Sequence, residues 1–258
     1  MIKWGIIGLG NMGQKFTNAI KETSNSKIIS VASLDKNKIK NFKDNYNLNK
    51  VTVYNNYDEI IKDKNINAIY IATLNNTHFE LIKKCSENNK NILCEKPFTL
   101  NYDEGREVYD YITKNRIIFY EGFAYRSHPQ TKIIQDIVQN NELGEIKNIQ
   151  SSFGFKINKI KPDSRLFDKK LGGGAILDVG CYPLSILNLF YKDPDSYKFL
   201  NTKGNLTHTN VDDYAEAEIE INKKIRCQIK VSFKENYQNK TIIELSLIHI
   251  SEPTRQDR

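Results

Sequence analysis

The sequence predicts an α/β domain with a parallel sheet and helices on both faces, followed by an α+β domain with a mostly antiparallel open sheet. Three observations carry this. Apolar strand-like runs alternate with helix-like runs from residue 2 to about residue 121. A Gly-x-Gly-x-x-Gly turn joins the first strand to the first helix. Beyond residue 121 the texture changes to helices first and strands later. The boundary is placed within 121–127, giving domains 1–122 and 123–244, with residues 245–258 set apart as a tail.

The first strand is the apolar run Ile2 to Ile7, and the glycine turn follows it. Met12, Phe16, Ala19 and Ile20 then repeat at helical spacing over 12–22. Ile28 to Leu34 reads as a second strand, and Asp35 as the cap of a short polar helix ending near Tyr46. Val51 to Tyr54 and Asn67 to Ala72 are the third and fourth strands. A helix over 77–88 leads to a strand ending at Cys94, a helix over 102–115 follows, and Ile117 to Tyr120 is the sixth strand. Such alternation implies crossover helices between parallel strands. In the second part, a helix over 129–140 precedes an alternating strand from Ile146 to Ile157. Gly172-Gly173-Gly174 opens a helix over 175–191. Strands at 196–207, 213–221, 224–233 and 240–245 follow, with Asn222-Lys223-Lys224 as the clearest turn.

Bulk properties narrow the function class. The chain has 258 residues, of which 39% are hydrophobic, enough for two cores. No run approaches the ~20 apolar residues of a membrane span, so no membrane partner is expected. Met1-Ile2-Lys3-Trp4-Gly5 enters a strand directly, without a signal peptide. Cys85, Cys94, Cys181 and Cys227 are widely spaced, with no metal or redox pairing, and a cytoplasmic location is expected. The net charge of +7 is spread along an Asn- and Ile-rich chain without a basic block. It is read as codon bias and not as a nucleic-acid footprint.

The turn Gly8-Leu9-Gly10-Asn11-Met12-Gly13 matches the dinucleotide fingerprint of a Rossmann domain. Its first glycine allows the tight turn, the second admits the pyrophosphate, and the third permits close helix–strand packing. The end of the second strand, Ser33-Leu34-Asp35-Lys36-Asn37-Lys38, gives conflicting signals. Asp35 is placed to take the ribose hydroxyl of NAD or to cap its helix, while Ser33 and Lys38 suit the extra phosphate of NADP.

Glu95-Lys96-Pro97 follows the short apolar run Asn91-Ile92-Leu93-Cys94. Proline restricts the preceding residue to extended geometry, so Lys96 is aimed by a stiff turn. Asp178 and Tyr182 are four apart in a helical stretch and share a face. A Tyr side chain is a poor base at its reference pKa near 10, and a nearby Lys96 ammonium would favour the phenolate. Tyr182 then exchanges a proton with a substrate hydroxyl, and Asp178 orients a hydroxyl or holds the lysine. The bland alternatives are a core aromatic for Tyr182 and a helix-dipole charge for Asp178. Arg126 is read as a brace or a substrate contact, Arg165 as a basic side chain near the site or, more simply, a solvated loop residue, and Cys181 as packing.

Taken in order, these stretches resemble the Gfo/Idh/MocA oxidoreductase family, named for glucose–fructose oxidoreductase and inositol dehydrogenase. The match rests on the glycine turn, Ile71-Ala72-Thr73-Leu74-Asn75-Asn76-Thr77-His78, Glu95-Lys96-Pro97, and Glu121-Gly122-Phe123-Ala124-Tyr125-Arg126-Ser127-His128-Pro129-Gln130. The stretch Gly172 to Pro183 completes it. The branch of dihydrodiol and NADP-dependent pentose dehydrogenases is the most similar. The resemblance implies a Rossmann domain and an open-sheet domain with substrate at their junction, and homo-oligomeric full-length relatives. It gives Lys96 as the active-site lysine and Asp178 and Tyr182 as its polar pair. It also puts Glu95 on the nicotinamide side, Thr73 and Asn75 along the cofactor, and His78 as a helix cap beside it. Leu74 stands where relatives usually have proline, and Leu34 where NADP users often carry arginine.

The expected function is hydride transfer between NADP or NAD, with a lean to NADP, and a secondary alcohol or carbonyl of a small sugar or cyclic diol. A non-catalytic cofactor-binding regulator of the same fold is the competing reading. Residues 245–258 look like a translated sequencing adapter, and the last six, Pro253 to Arg258, contain two Arg and no Lys. A non-native tail and an incomplete second sheet with an unpaired edge are therefore expected.

Overall fold

A computed structural model describes residues 1–46, 50–247 and 249–253. The chain divides into two units, Met1–Gly122 and Phe123–Arg258. In the first, β1 (Ile2–Ile7), β2 (Ser26–Ala32), β3 (Thr52–Tyr54), β4 (Ala68–Ile71), β5 (Asn91–Cys94) and β6 (Phe119–Glu121) form one parallel sheet, ordered β3-β2-β1-β4-β5-β6. Strand order reverses between β1 and β4, the switch point where such sheets bind ligands beyond their carboxyl ends.

The helices cover both faces, as expected. Phe16 of α1 (Asn11–Lys21) and Ile39 and Phe42 of α2 (Lys36–Tyr46) pack with Ile6, Val31 and Tyr70 on one face. On the other, α3 (Tyr57–Lys62), α4 (His78–Glu87) and α5 (Tyr102–Asn115) bury Ile60, Ile82 and Val108 against Ile7, Ile69 and Ile71. Burying each large aliphatic side chain is worth about 1.5–3 kcal/mol, so this two-sided packing holds the strand ends in place. Only α3 was unforeseen. Its six residues are too short for a helical period, although Asn56 caps it by accepting the Asp58 N–H at 2.7 Å.

The second unit has α6 (Pro129–Gln139), β7 (Ile146–Gly154), a π-helical turn (Ile176–Gly180) that runs into α7 (Cys181–Phe190), and then β8 (Tyr197–Leu206), β9 (Asp212–Ile221), β10 (Ile225–Ser232), β11 (Lys240–Leu245) and β12 (His249–Pro253). Its sheet is ordered β12-β11-β7-β10-β9-β8. All pairs are antiparallel except β7 with β10. Alternation sets its inner face: Ile225, Cys227, Ile229 and Val231 of β10 are buried, while Arg226, Gln228 and Lys230 are exposed. The hairpin between β9 and β10 turns at Asn222 and Lys223, both left-handed at φ 53° and 59°, which suits a twisted hairpin.

One expectation changes here. The helical run Lys169–Phe190 is long and apolar enough to cross a membrane by length and composition, but 56% of its most apolar window is buried inside the fold. It is a core helix by packing: Tyr182, Ile186 and Leu187 lie in the interior. Within the segment set apart as a tail, β12 pairs with β11 along the sheet edge. Ile248 and residues 254–258 of that tail lie outside the described residues.

Candidate active site

In the first unit the candidate groups gather at the carboxyl ends of β1, β2, β4 and β5. Gly8 leaves β1 at φ +98°, and a Cβ there would stand 2.4 Å from the Ala72 carbonyl oxygen. A Cβ on Gly13 would stand 2.4 Å from the Gly8 carbonyl oxygen, so α1 and β1 approach as closely as the fingerprint requires. Gly10 differs: nothing lies within 4 Å of its Cβ position. It is the N-cap of α1, without a side-chain cap and without an acidic residue in the first turn. The backbone of Asn11, Met12 and Gly13 thus offers N–H groups and a positive dipole end beside open space, which fits a pyrophosphate. Leu9 is buried, so it contributes backbone only.

These two glycines give a paired expectation. Gly10→Ala should fold normally, with a melting temperature close to the parent's, yet lose at least about tenfold in dinucleotide affinity, a cost of about 1.4 kcal/mol. Gly8→Ala should fail earlier, with little soluble folded protein. Fluorescence titration and thermal melts check both, and full affinity in Gly10→Ala would remove this loop from the cofactor site.

At the end of β2, Ser33 is buried and accepts the Asp35 N–H at 3.1 Å. Asp35 Oδ1 accepts the N–H groups of Asn37 (2.9 Å) and Lys38 (3.3 Å), so Asp35 caps α2. Lys38 is exposed beside it, and so is Leu34.

After β4, Thr73 and Thr77 are joined through their hydroxyls at 2.7 Å, and Asn75 opens the short 3₁₀ turn Asn75–Thr77. After β5, Glu95 and Lys96 are half-buried and the Lys96–Pro97 peptide is cis. Glu95 accepts the Tyr70 hydroxyl at 2.5 Å. Burial pushes its carboxyl pKa up, against the pull of that hydrogen bond and of the Lys96 charge. His78 corrects the expectation made for it. It is 0% exposed, so its side chain has no surface to offer a cofactor. Its Nδ1 lies 2.8 Å from the Pro97 carbonyl oxygen and its Nε2 3.4 Å from that of Thr73. Burial lowers its pKa, and a neutral ring donates from Nδ1.

In the second unit, Asp178 lies in the π-helical turn and Tyr182 in the first turn of α7. Both are buried, at 5% and 4% exposure. The Tyr182 ring stacks on Phe153 (5.3 Å, 15°) and meets Phe123 edge-on (5.3 Å, 79°). Asp178 Oδ1 accepts from Arg165 at 2.9 Å, and the Arg165 side chain is 53% exposed. Arg165 is therefore both half exposed and the charge partner of the buried carboxylate, so it stands near the site as one of the two sequence readings had it. Arg126 is a brace, donating to the Ser185 carbonyl of α7 at 3.0 Å. The Cys181 thiol donates to the Asp178 carbonyl at 3.7 Å.

Sequence reasoning missed Asp212. Its Oδ2 accepts the Ile176 N–H at 2.8 Å, so a residue of β9 caps the helical turn that carries Asp178. A Cβ on Gly174, at φ +120°, would stand 2.3 Å from Asp212 Oδ1, which explains the glycine-rich joint. No motif spacing joins Asp212 to Ile176, so only the fold reveals the cap. Among the described residues, no cluster of His, Cys, Asp or Glu could hold a metal ion.

A parallel switch-point sheet with an uncapped glycine turn after β1, and a lysine after β5 two strands along the same carboxyl ends, defines a dinucleotide-binding Rossmann fold. The chain belongs to the Gfo/Idh/MocA family. Residues 2–123 match its "Oxidoreductase family, NAD-binding Rossmann fold" and residues 131–247 its C-terminal domain. It is 33% identical to a trans-1,2-dihydrobenzene-1,2-diol dehydrogenase of Xenopus tropicalis over 82% of this chain and 63% of that enzyme. It is 31% identical to D-xylose 1-dehydrogenase (NADP(+)) 2 of Haloferax volcanii over 74% of this chain and 58% of that one. The chain thus spans less than two thirds of the length of either enzyme. KijD10, a 3-ketoreductase from Actinomadura kijaniata solved with NADP and TDP-benzene, shares the fold. Its TM-score is 0.83 at 21% identity, covering 95% of this chain and 74% of that one.

Proposed function

We propose that the protein is an NAD(P)-dependent dehydrogenase or reductase acting on a secondary alcohol or carbonyl of a small sugar or cyclic diol. The observation that carries this is Lys96: its turn stands at the carboxyl end of β5, on the same sheet edge as the open Gly10 turn. The two relatives named above, a diol and a pentose dehydrogenase, support the substrate class.

When bound, the nicotinamide accepts or supplies the hydride. In oxidation the substrate carbon loses hydride, its hydroxyl proton passes to the Tyr182 phenolate oxygen, which becomes the phenol, and the carbon–oxygen double bond forms. Lys96 supplies the cation that favours this transfer. Asp178, held by Arg165, presents a fixed acceptor for a neighbouring hydroxyl. Reduction runs the same steps backwards. Screening pentoses, hexoses, inositols and cyclic diols with both cofactors, read by nicotinamide absorbance, tests the proposal. Tight dinucleotide binding without turnover of any of them would favour a regulatory protein.

The cofactor is proposed to be NADP. Asp35 spends Oδ1 on the first N–H groups of α2, which weakens it as a ribose reader. The Ser33 hydroxyl accepts a hydrogen bond and can still donate, and the exposed Lys38 supplies a cation. NADPH should bind about fivefold or more tightly than NADH, and Lys38→Ala should remove most of that difference, consistent with about 1 kcal/mol for one exposed charge contact. Tighter NADH binding would instead make Asp35 the ribose reader. A cytoplasmic setting is part of the proposal, supported by four free cysteines.

A further inference from the structure

We propose that Tyr70 and His78 are positioning residues for Lys96, forming a buried two-point clamp on the Glu95-Lys96-Pro97 turn. The inference rests on the reading of Lys96 as the proton-transfer cation and adds what aims it. On one side, the Glu95 N–H donates to the Ile71 carbonyl at 2.9 Å and its carboxylate accepts the Tyr70 hydroxyl at 2.5 Å. On the other, His78 Nδ1 donates to the Pro97 carbonyl at 2.8 Å. Lys96 is the single residue between the two anchors.

The anchors are themselves fixed. Tyr70 lies on β4 opposite Leu93 of β5, so its hydroxyl reaches two residues along the neighbouring strand to Glu95. Its ring, 2% exposed, packs on Phe16 of α1 at 4.2 Å between centroids. His78 starts α4 and is fully buried. Burying a hydroxyl and an imidazole is costly unless each is hydrogen-bonded, and apolar residues would fill these seats at lower cost. Both polar groups spend a hydrogen bond on the same three-residue turn. Both also stay neutral donors, since burial raises the Tyr70 pKa and lowers that of His78.

The test uses the full chain with Tyr70→Phe, His78→Gln and His78→Asn. An asparagine amide stands near the position of Nδ1, whereas a glutamine amide stands nearer that of Nε2. Measured quantities are kcat, KM, cofactor affinity, melting temperature and the Lys96 signal of reductively carbon-13-methylated protein, assigned with Lys96→Arg. Tyr70→Phe and His78→Gln should each lower kcat about tenfold, a barrier change of about 1.4 kcal/mol, with cofactor affinity within about twofold. The Lys96 signal should shift in both. His78→Asn should recover about fivefold of kcat relative to His78→Gln. A lower melting temperature with kcat and the Lys96 signal unchanged would show a purely structural role and overturn the clamp. If the parent turns over no polyol, the assignment of Lys96 to catalysis fails, and the Lys96 signal alone decides the clamp. Should His78→Gln not fold, Tyr70→Phe, which keeps the packed ring, decides on the same readouts.

Discussion

Lys96→Met should lower turnover at least about 10³-fold while dinucleotide affinity changes little, within the 10²–10⁴-fold range usual for loss of a proton-transfer group. Methionine keeps most of the length and packing of the lysine stem and removes the ammonium together with its hydrogen-bond donors. A competing explanation has to be separated. The Lys96 charge also steadies the Glu95 carboxylate, whose pKa burial already pushes up. Without the ammonium that pKa rises further, and more of Glu95 is protonated at neutral pH. The two causes have opposite signatures. If protonated Glu95 were the defect, raising the pH would restore activity as the carboxyl ionises. If the missing cation is the defect, activity stays low across the profile. The expected result is a uniformly low kcat from pH 6 to 9, and near-normal turnover at any pH in that range would remove Lys96 from the mechanism.

Much of this site is legible in the sequence because its motifs are local. Glycines at 8, 10 and 13 fall within one turn, Lys96 sits in a three-residue turn directly after a strand, and Asp178 and Tyr182 are four apart where the π-helical turn runs into α7. What was not legible is the set of partners. Arg165 reaches Asp178 from an irregular loop with no periodic signal. Asp212 caps the Ile176 turn from 36 residues away. The family resemblance alone puts His78 beside the cofactor as a helix cap. Laying β4 beside β5 instead turns the ring inward, to the carbonyls of Pro97 and Thr73. The same limit applies to the second sheet: its alternating strands were evident, but the parallel pairing of β7 with β10 depends on register and crossover that no strand encodes by itself.

Tyr182→Phe should separate chemistry from packing cleanly, because the ring is held by its faces and edges and not by its hydroxyl alone. It stacks on Phe153 and meets Phe123 edge-on, and phenylalanine can occupy that seat without a cavity. The expected stability change is at most about 1 kcal/mol, the usual net worth of one hydrogen bond. Turnover should fall about 10²–10⁴-fold, and the pH–rate profile should depart from the parent's. Arg165→Leu provides a contrast in the same unit. It removes the Arg165 guanidinium from which the buried Asp178 carboxylate accepts at 2.9 Å, which costs stability. That variant should therefore melt lower, bind the polyol more weakly, and keep the shape of the parent's pH–rate profile. Thermal melts and pH–rate profiles of the two variants, taken with the same substrate, decide the assignment. If Tyr182→Phe keeps the parent's profile, another group carries the proton. If it loses stability without losing turnover, Tyr182 is only a core aromatic.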